Sequence, residues 1–215
     1  MIRYCVSALL FLGILAAFHC SSTTLTGKGG SSETVNARII IIDTIAVVTS
    51  KDPAVKGFSL GVYSPAYRPY EHFGYADSVA DASNALQWSA PSTGDFCFLL
   101  KAIPSGSACF LRDIAITHGT SDTIDCVCGP CHNLTGRVEP KDSAKVAEIY
   151  ALSMYGTPFY AVTDSLHRFT IHTIPSGSYT LSVRSIAKRL FISTNDYSII
   201  TDSLGTTTNL RLLMP

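Results

Sequence analysis

Charge is scarce in this chain of 215 residues. Charged side chains make up 15% of it, and 16 Lys plus Arg stand against 16 Asp plus Glu, so the formal net charge is zero. A neutral chain sets up no field to hold a phosphate backbone, which excludes general nucleic-acid binding. Missing too is any apolar run of the about 20 residues that a membrane-spanning helix needs. Only four Glu occur, and none pairs with another carboxylate at a spacing suited to acid–base work. Neither H-E-x-x-H nor G-x-S-x-G is present, and no Gly-rich loop opens a helix. His167 and His172 are expected on opposite faces of one strand, where they cannot chelate together. These gaps argue against an enzyme and call for no cofactor. What the chain has instead is apolar: 47% hydrophobic residues and 10% aromatics, far too many for a disordered chain.

The first 32 residues read as an address. One positive charge, Arg3, precedes an apolar run over residues 6–18, about the length of a signal-peptide core. Cys20 follows, and then a Ser/Thr/Gly-rich stretch over 21–32 that reads as a flexible tether. A cysteine at the end of an apolar run, followed by a tether, resembles a bacterial lipoprotein signal. The resemblance implies a signal peptide over 1–19, a tether over 20–32, lipid on Cys20 as membrane anchor, and, with Ser21 next, the outer membrane. His19 stands where that signal has a small residue. The alternative is an ordinary signal peptide cut near Ala17 or Ser22. Both readings export the protein to the cell envelope.

Beyond the tether the pattern is that of strands. Residues 37–49 form a run too rich in Ile and Val for a helix. Further strands are expected at 59–64, 95–101, 108–116, 146–154, 159–162, 168–173, 178–184, 189–193 and 208–213, most of them separated by Gly, Pro, Ser, Asn or Asp. A long loop is expected between Tyr63 and Trp88. The chain also repeats itself. The segment from Phe98 to Ser107 matches that from Phe169 to Ser178 without a gap, each closing on Ile-Pro-Ser-Gly-Ser. Pro ends a strand by removing a ladder amide, and Gly supplies backbone freedom, so each copy reads as one strand crossing to the next between sheets. Alternation turns Phe169, Ile171, Tyr179, Leu181 and Val183 inward.

Residues 162–183 resemble the second half of a carboxypeptidase-regulatory-like module. The pattern is carried by Thr163, Asp164, Phe169, Ile171, Ile174, Pro175, Gly177, Tyr179, Leu181 and Val183, with Leu166-His167 where that family has a Gly turn. The first half is carried by Leu134, Gly136 and Val138 and by residues 147–155. A looser copy runs through Gly94, Phe96, Phe98, Ile103, Pro104 and Gly106. The resemblance implies an all-β protein: two tandem, seven-stranded, transthyretin-like Greek-key sandwiches, over 33–128 and 133–215, after the signal helix. It implies no peptidase activity. The order of elements also resembles lipoproteins of Fibrobacter-like anaerobes.

Two clusters invite chemistry. Cys126, Cys128, Cys131 and His132 are packed into seven residues. Cys128 to His132 matches the C-x-x-C-H of haem attachment, Cys128 to Cys131 the C-x-x-C of redox proteins, and the four together a Cys3His metal set. Against these stands a plain structural reading, the last strand of the first copy and its linker. Cys97 and Cys109 flank the first Ile-Pro turn, and alternation places them outward, where a bridge between them is one option. The second cluster is aromatic: Tyr67, Tyr70, Phe73, Tyr75 and Trp88 within the long loop. Flat rings on a sandwich stack on carbohydrate or peptide at low entropic cost; the alternative is that they cap and fill the core. The sequence thus points to a non-catalytic envelope lipoprotein acting as spacer or binding module for carbohydrate or protein, with a haem- or metal-carrying protein as the alternative.

Overall fold

The computed structural model describes residues 34–82, 85–140, 148–186, 195–201 and 209–214. The signal, the tether, Cys20 and the strand expected at 189–193 lie outside them. Among the described residues there is no helix. The fold is all-β, with its strands in four sheets.

The first sandwich is built from β1 (Val35–Ile42), β2 (Ile45–Thr49), β3 (Gly57–Tyr63), β4 (Ala76–Asp81), β5 (Ala85–Ser89), β6 (Gly94–Ile103), β7 (Ala108–Ile116) and β8 (Ser121–Cys128). One sheet has the order β5-β2-β1-β8 and the other β4-β3-β6-β7. In β1, Val35, Ala37, Ile39 and Ile41 face in while Asn36 and Arg38 face out, the period-2 pattern of a half-buried strand. The Ile/Val-rich run at 37–49 is a hairpin rather than one strand. Its turn is Asp43-Thr44, with Asp43 at φ 55 and Ile42 paired with Ile45. The Asp43 carboxylate accepts the Gly119 N–H at 2.9 Å and meets His118 Nδ1 at 3.1 Å, tying this turn to the one between β7 and β8. The expected long loop between Tyr63 and Trp88 is corrected: it contains β4 and β5. Both are short and mostly exposed, with Leu86 and Trp88 as the inward residues, so they carry little hydrophobic signal.

The second sandwich is built from β9 (His132–Pro140), β10 (Tyr150–Met154), β11 (Tyr160–Val162), β12 (Arg168–Ile174), β13 (Gly177–Ser185), β14 (Asn195–Thr201) and β15 (Asn209–Met214). Its sheets are β11-β10-β13-β14 and β12-β9-β15, the β9–β15 pair being parallel. The core is as alternation places it. Phe169 and Ile171 on β12 face Tyr179, Leu181 and Val183 on β13 across the two sheets, all five buried. His167 sits just before β12 at φ 60, in the left-handed turn position that glycine usually fills. It is buried, donates from Nε2 to the Glu148 carbonyl at 3.1 Å and meets the Tyr150 ring edge-on. Asp164 closes that turn by accepting the Leu166 and Arg168 amides at 2.9 and 2.8 Å.

The repeat is real in sequence but not in topology. In the second copy Ile-Pro-Ser-Gly joins β12 of one sheet to β13 of the other, the expected crossing. In the first copy the same residues close a hairpin, with β6 and β7 paired in one sheet and the Ile103–Pro104 peptide bond cis. The difference flips a face. Cys109 pairs with inward-facing Leu100 and so points into the core, whereas the residue aligned with it, Thr180, lies beside inward Tyr179. A bulge between Phe96 and Phe98 buries Cys97 as well. The expectation that Cys97 and Cys109 face outward is therefore overturned. The first sandwich also has eight strands where seven are expected.

Candidate functional site

Three regions carry side chains with chemistry. The first is a knot of sulfur inside the first sandwich. Cys126 and Cys128 are two residues apart on β8, so both point inward, and Val127 between them is 60% exposed. Cys109 reaches them from β7 in the facing sheet. The three sulfurs lie within 4.8 Å of one another, and all three residues are buried. Hydrogen bonds from Cys109 and Cys128 hold the Cys126 thiol well below its usual range. The same contacts, that to Cys126 first, push Cys109 up. All five described cysteines are thiols, so no bridge joins Cys97 to Cys109.

This differs from the set expected from sequence. Cys126 and Cys128 are brought together, but with Cys109 rather than with Cys131 and His132. Cys131 lies past the end of β8, its Sγ 3.8 Å from the Gly106 carbonyl. His132 opens β9, with Nε2 buried and without a hydrogen-bond partner. Cys128 is turned into the sandwich, whereas haem attachment requires both thiols of the motif and its His to front one porphyrin. Spacing alone had no means of finding Cys109, which stands 17 residues before Cys126 in sequence.

The second region is the aromatic segment after β3. Its five candidate rings do not form one platform. Trp88 is buried, edge-on to Phe96 and Phe98 at 5.5 and 5.8 Å, and its indole N–H donates to Asp77 at 2.9 Å. Tyr75 packs partly buried on the same core, and burial pushes its hydroxyl up to about 12. Tyr67 is half-buried beside Tyr63. Only Tyr70 and Phe73 are exposed. The segment clamps the second sandwich. Glu71 forms ion pairs with Arg68 of its own loop at 3.1 Å and with Arg184 of β13 at 3.0 Å, with its side chain 9% exposed. The Tyr67 carbonyl accepts the Gly156 amide at 2.9 Å. Gly156 has φ 69, and a Cβ there would stand 2.6 Å from the Cys97 sulfur, so close approach of the two sandwiches requires glycine. Arg68 lies over the rings of Phe73 and Tyr155. The Tyr70 and Tyr160 rings meet at 6.3 Å.

The third region was not foreseen. An open groove of about 700 Å³ runs along β12-β9-β15. The register places Arg168, Arg137 and Arg211 side by side on three adjacent strands, all exposed. Like charges directly opposite one another destabilise a sheet, so such a row needs compensation. Asp164 pairs with Arg168 at 2.9 Å and Glu139 with Arg211 at 2.8 Å. Arg137, in the middle, has no carboxylate partner among the described residues. Each arginine is visible in the sequence as an outward residue of a strand; what is invisible is the register, set by a parallel pair between the first and last strands of the sandwich.

No protein-family model matches the chain, and no curated protein matches it. Seven chains of solved structures match part of it, three among them as follows. Two are cohesin–X-dockerin type II complexes from Acetivibrio cellulolyticus, an N-terminal and a C-terminal interface mutant. Each is 22% identical over 38% of this chain, covering 56% and 51% of those chains, with TM-scores of 0.29 and 0.26. The third is the Bacillus anthracis TIE protein, 12% identical over 86% of this chain and 41% of that one, with a TM-score of 0.29. The chain thus spans about half of those chains or less, and likenesses of this extent carry no functional information. What the structure itself defines is a tandem β-sandwich protein. No family model supports the carboxypeptidase-regulatory-like resemblance.

Proposed function

We propose that this is an exported, non-catalytic protein of the bacterial cell envelope, held by lipid on Cys20, whose second sandwich binds an anionic carbohydrate. The carrying observation is the arginine row of β12-β9-β15. Three guanidiniums share one groove with two carboxylates, an excess of one positive charge. Guanidinium is planar, always charged and matched to carboxylate oxygens in pairs, so Arg137 is the donor for an acidic group of the ligand.

Titration calorimetry of the full chain with polygalacturonate, against a neutral glucan, tests the binding. Binding of the acidic polymer that weakens with salt and is lost in Arg137→Ala supports the reading. Equal binding of both polymers, or an unaffected Arg137→Ala variant, overturns it. Anchoring has its own test: Cys20→Ala should release the protein from membranes, because the full lipoprotein acylation that stable attachment needs is then missing and the chain carries no net charge to hold it there; unchanged membrane fractionation of this variant overturns the anchoring.

A further inference from the structure

We propose that Cys109, Cys126 and Cys128 form a site for a thiophilic cation, Cu(I), held by three sulfurs between the two sheets of the first sandwich. The sulfurs already lie within 4.8 Å of one another. Metal–thiolate bonds are about 2.3 Å long, so three sulfurs spaced evenly around one ion stand about 4 Å apart. The cluster closes on an ion with small side-chain movements. Its ligand set is all sulfur: among the described residues no imidazole or carboxylate joins it. Thiolates alone select soft ions, copper(I) and zinc first. Structural zinc takes four ligands, and a three-sulfur set inside an apolar core leaves none for the fourth position. Burial of Cys109, Cys126 and Cys128 at 7%, 6% and 0% exposure keeps water and oxidants from the ion.

Oxidation is the competing fate of the same atoms, and it satisfies them less well. Two residues apart on a strand, Cys126 and Cys128 have Cα atoms about 6.6 Å apart, near the upper limit for a disulfide. Cys109 can bridge only one of them, and any bridge leaves one buried thiol over. One ion uses all three. Binding is a ligand exchange without electron transfer: the ion enters as Cu(I), three Cu–S bonds form, and each ligating thiol gives up its proton to solvent.

The test uses the full chain, reduced and without air, titrated with Cu(I) against a competing chelator and followed by thiolate-to-copper charge-transfer absorption. One Cu(I) per chain is expected. Cys109→Val and Cys126→Val keep an apolar group of similar size in the core. Each should retain the β-sheet circular dichroism and bind at least about 100-fold more weakly, since even losing a group that merely orients a ligand costs 10–100-fold. Cys131→Ser and Cys97→Ala should bind as the natural chain does. No binding by the folded natural chain, an unaffected Cys109→Val, or a comparable loss in Cys131→Ser overturns the proposal. So does a disulfide within the trio that persists after reduction. If the valine variants fail to fold, X-ray absorption of the natural chain decides: three sulfur neighbours support the site, and two overturn it.

Discussion

Replacing Phe169 by Ala tests whether the inward face of the second sandwich is correctly understood. Phe169 is 4% exposed and packs with Ile171, Tyr179 and Leu181 between the sheets. Its ring also lies over Gly136 of β9, where an added Cβ would meet Phe169 Cζ at 2.7 Å. Truncation removes the transfer free energy of the ring and leaves a cavity that paired strands cannot collapse, about 3–5 kcal/mol together. Against a total stability of about 5–15 kcal/mol that is a large share, and at 2–4 °C per kcal/mol it lowers Tm by about 6–20 °C. Thr170, next along β12 and turned outward, should cost under about 0.5 kcal/mol when changed to Ala. Urea and thermal unfolding of the full chain, followed by far-ultraviolet circular dichroism, measures both. The one Trp in the chain, Trp88, lies in the other core, so its fluorescence reports how far the loss spreads. Equal effects of Phe169→Ala and Thr170→Ala would refute the assignment of faces.

Gly136→Ala should destabilise by about 1–3 kcal/mol, because the new methyl meets the Leu210 carbonyl at 2.6 Å as well as the Phe169 ring; denaturant midpoints of the full chain check this. A double-mutant cycle of Glu71→Gln and Arg184→Met should give a coupling of about 1–3 kcal/mol, and a value near zero would mean that the clamp between the sandwiches is ornamental. Asp164 is held below the usual carboxylate range, first by the Arg168 amide. A carboxylate with a folded value below its unfolded one stabilises the fold above pH of about 4, and that contribution fades as pH falls through the folded value. Asp164→Asn should therefore flatten the loss of stability below pH of about 4, and an unchanged acid profile measured by thermal melts would count against the turn described for it.

The second core was legible because its signals agree. Phe169, Ile171, Tyr179, Leu181 and Val183 alternate, and Pro175 with Gly177 marks the crossing between them. The first was only partly legible. The same Ile-Pro-Ser-Gly residues close a hairpin there, since β7 finds its hydrogen bonds beside β6, and a turn motif does not say whether the next strand stays in its sheet. Staying moved every residue of β7 by one face, which carried Cys109 from the surface to the core. The bulge at Cys97 did the same over a shorter distance. Strands β4 and β5 stayed hidden because an exposed edge strand of mixed polarity looks like a loop. The arginine row and the Glu71–Arg184 pair join residues tens of positions apart, and only register brings them together.

The parallel pairing of β9 with β15 has a mechanical consequence. Tension drawn along the chain reaches the second sandwich at the start of β9 and leaves it at the end of β15. The two strands run side by side in the same direction, with Thr135 beside Asn209 and Pro140 beside Met214. Pulled from opposite ends they slide past each other, and every hydrogen bond between them resists at once. In the first sandwich tension enters at Val35 and leaves at Cys128, which are register partners at the same end of an antiparallel pair. There the bonds break in succession, as in a zip. A pulled molecule therefore opens its first sandwich, with the three thiols inside it, before the arginine-lined face of the second gives way.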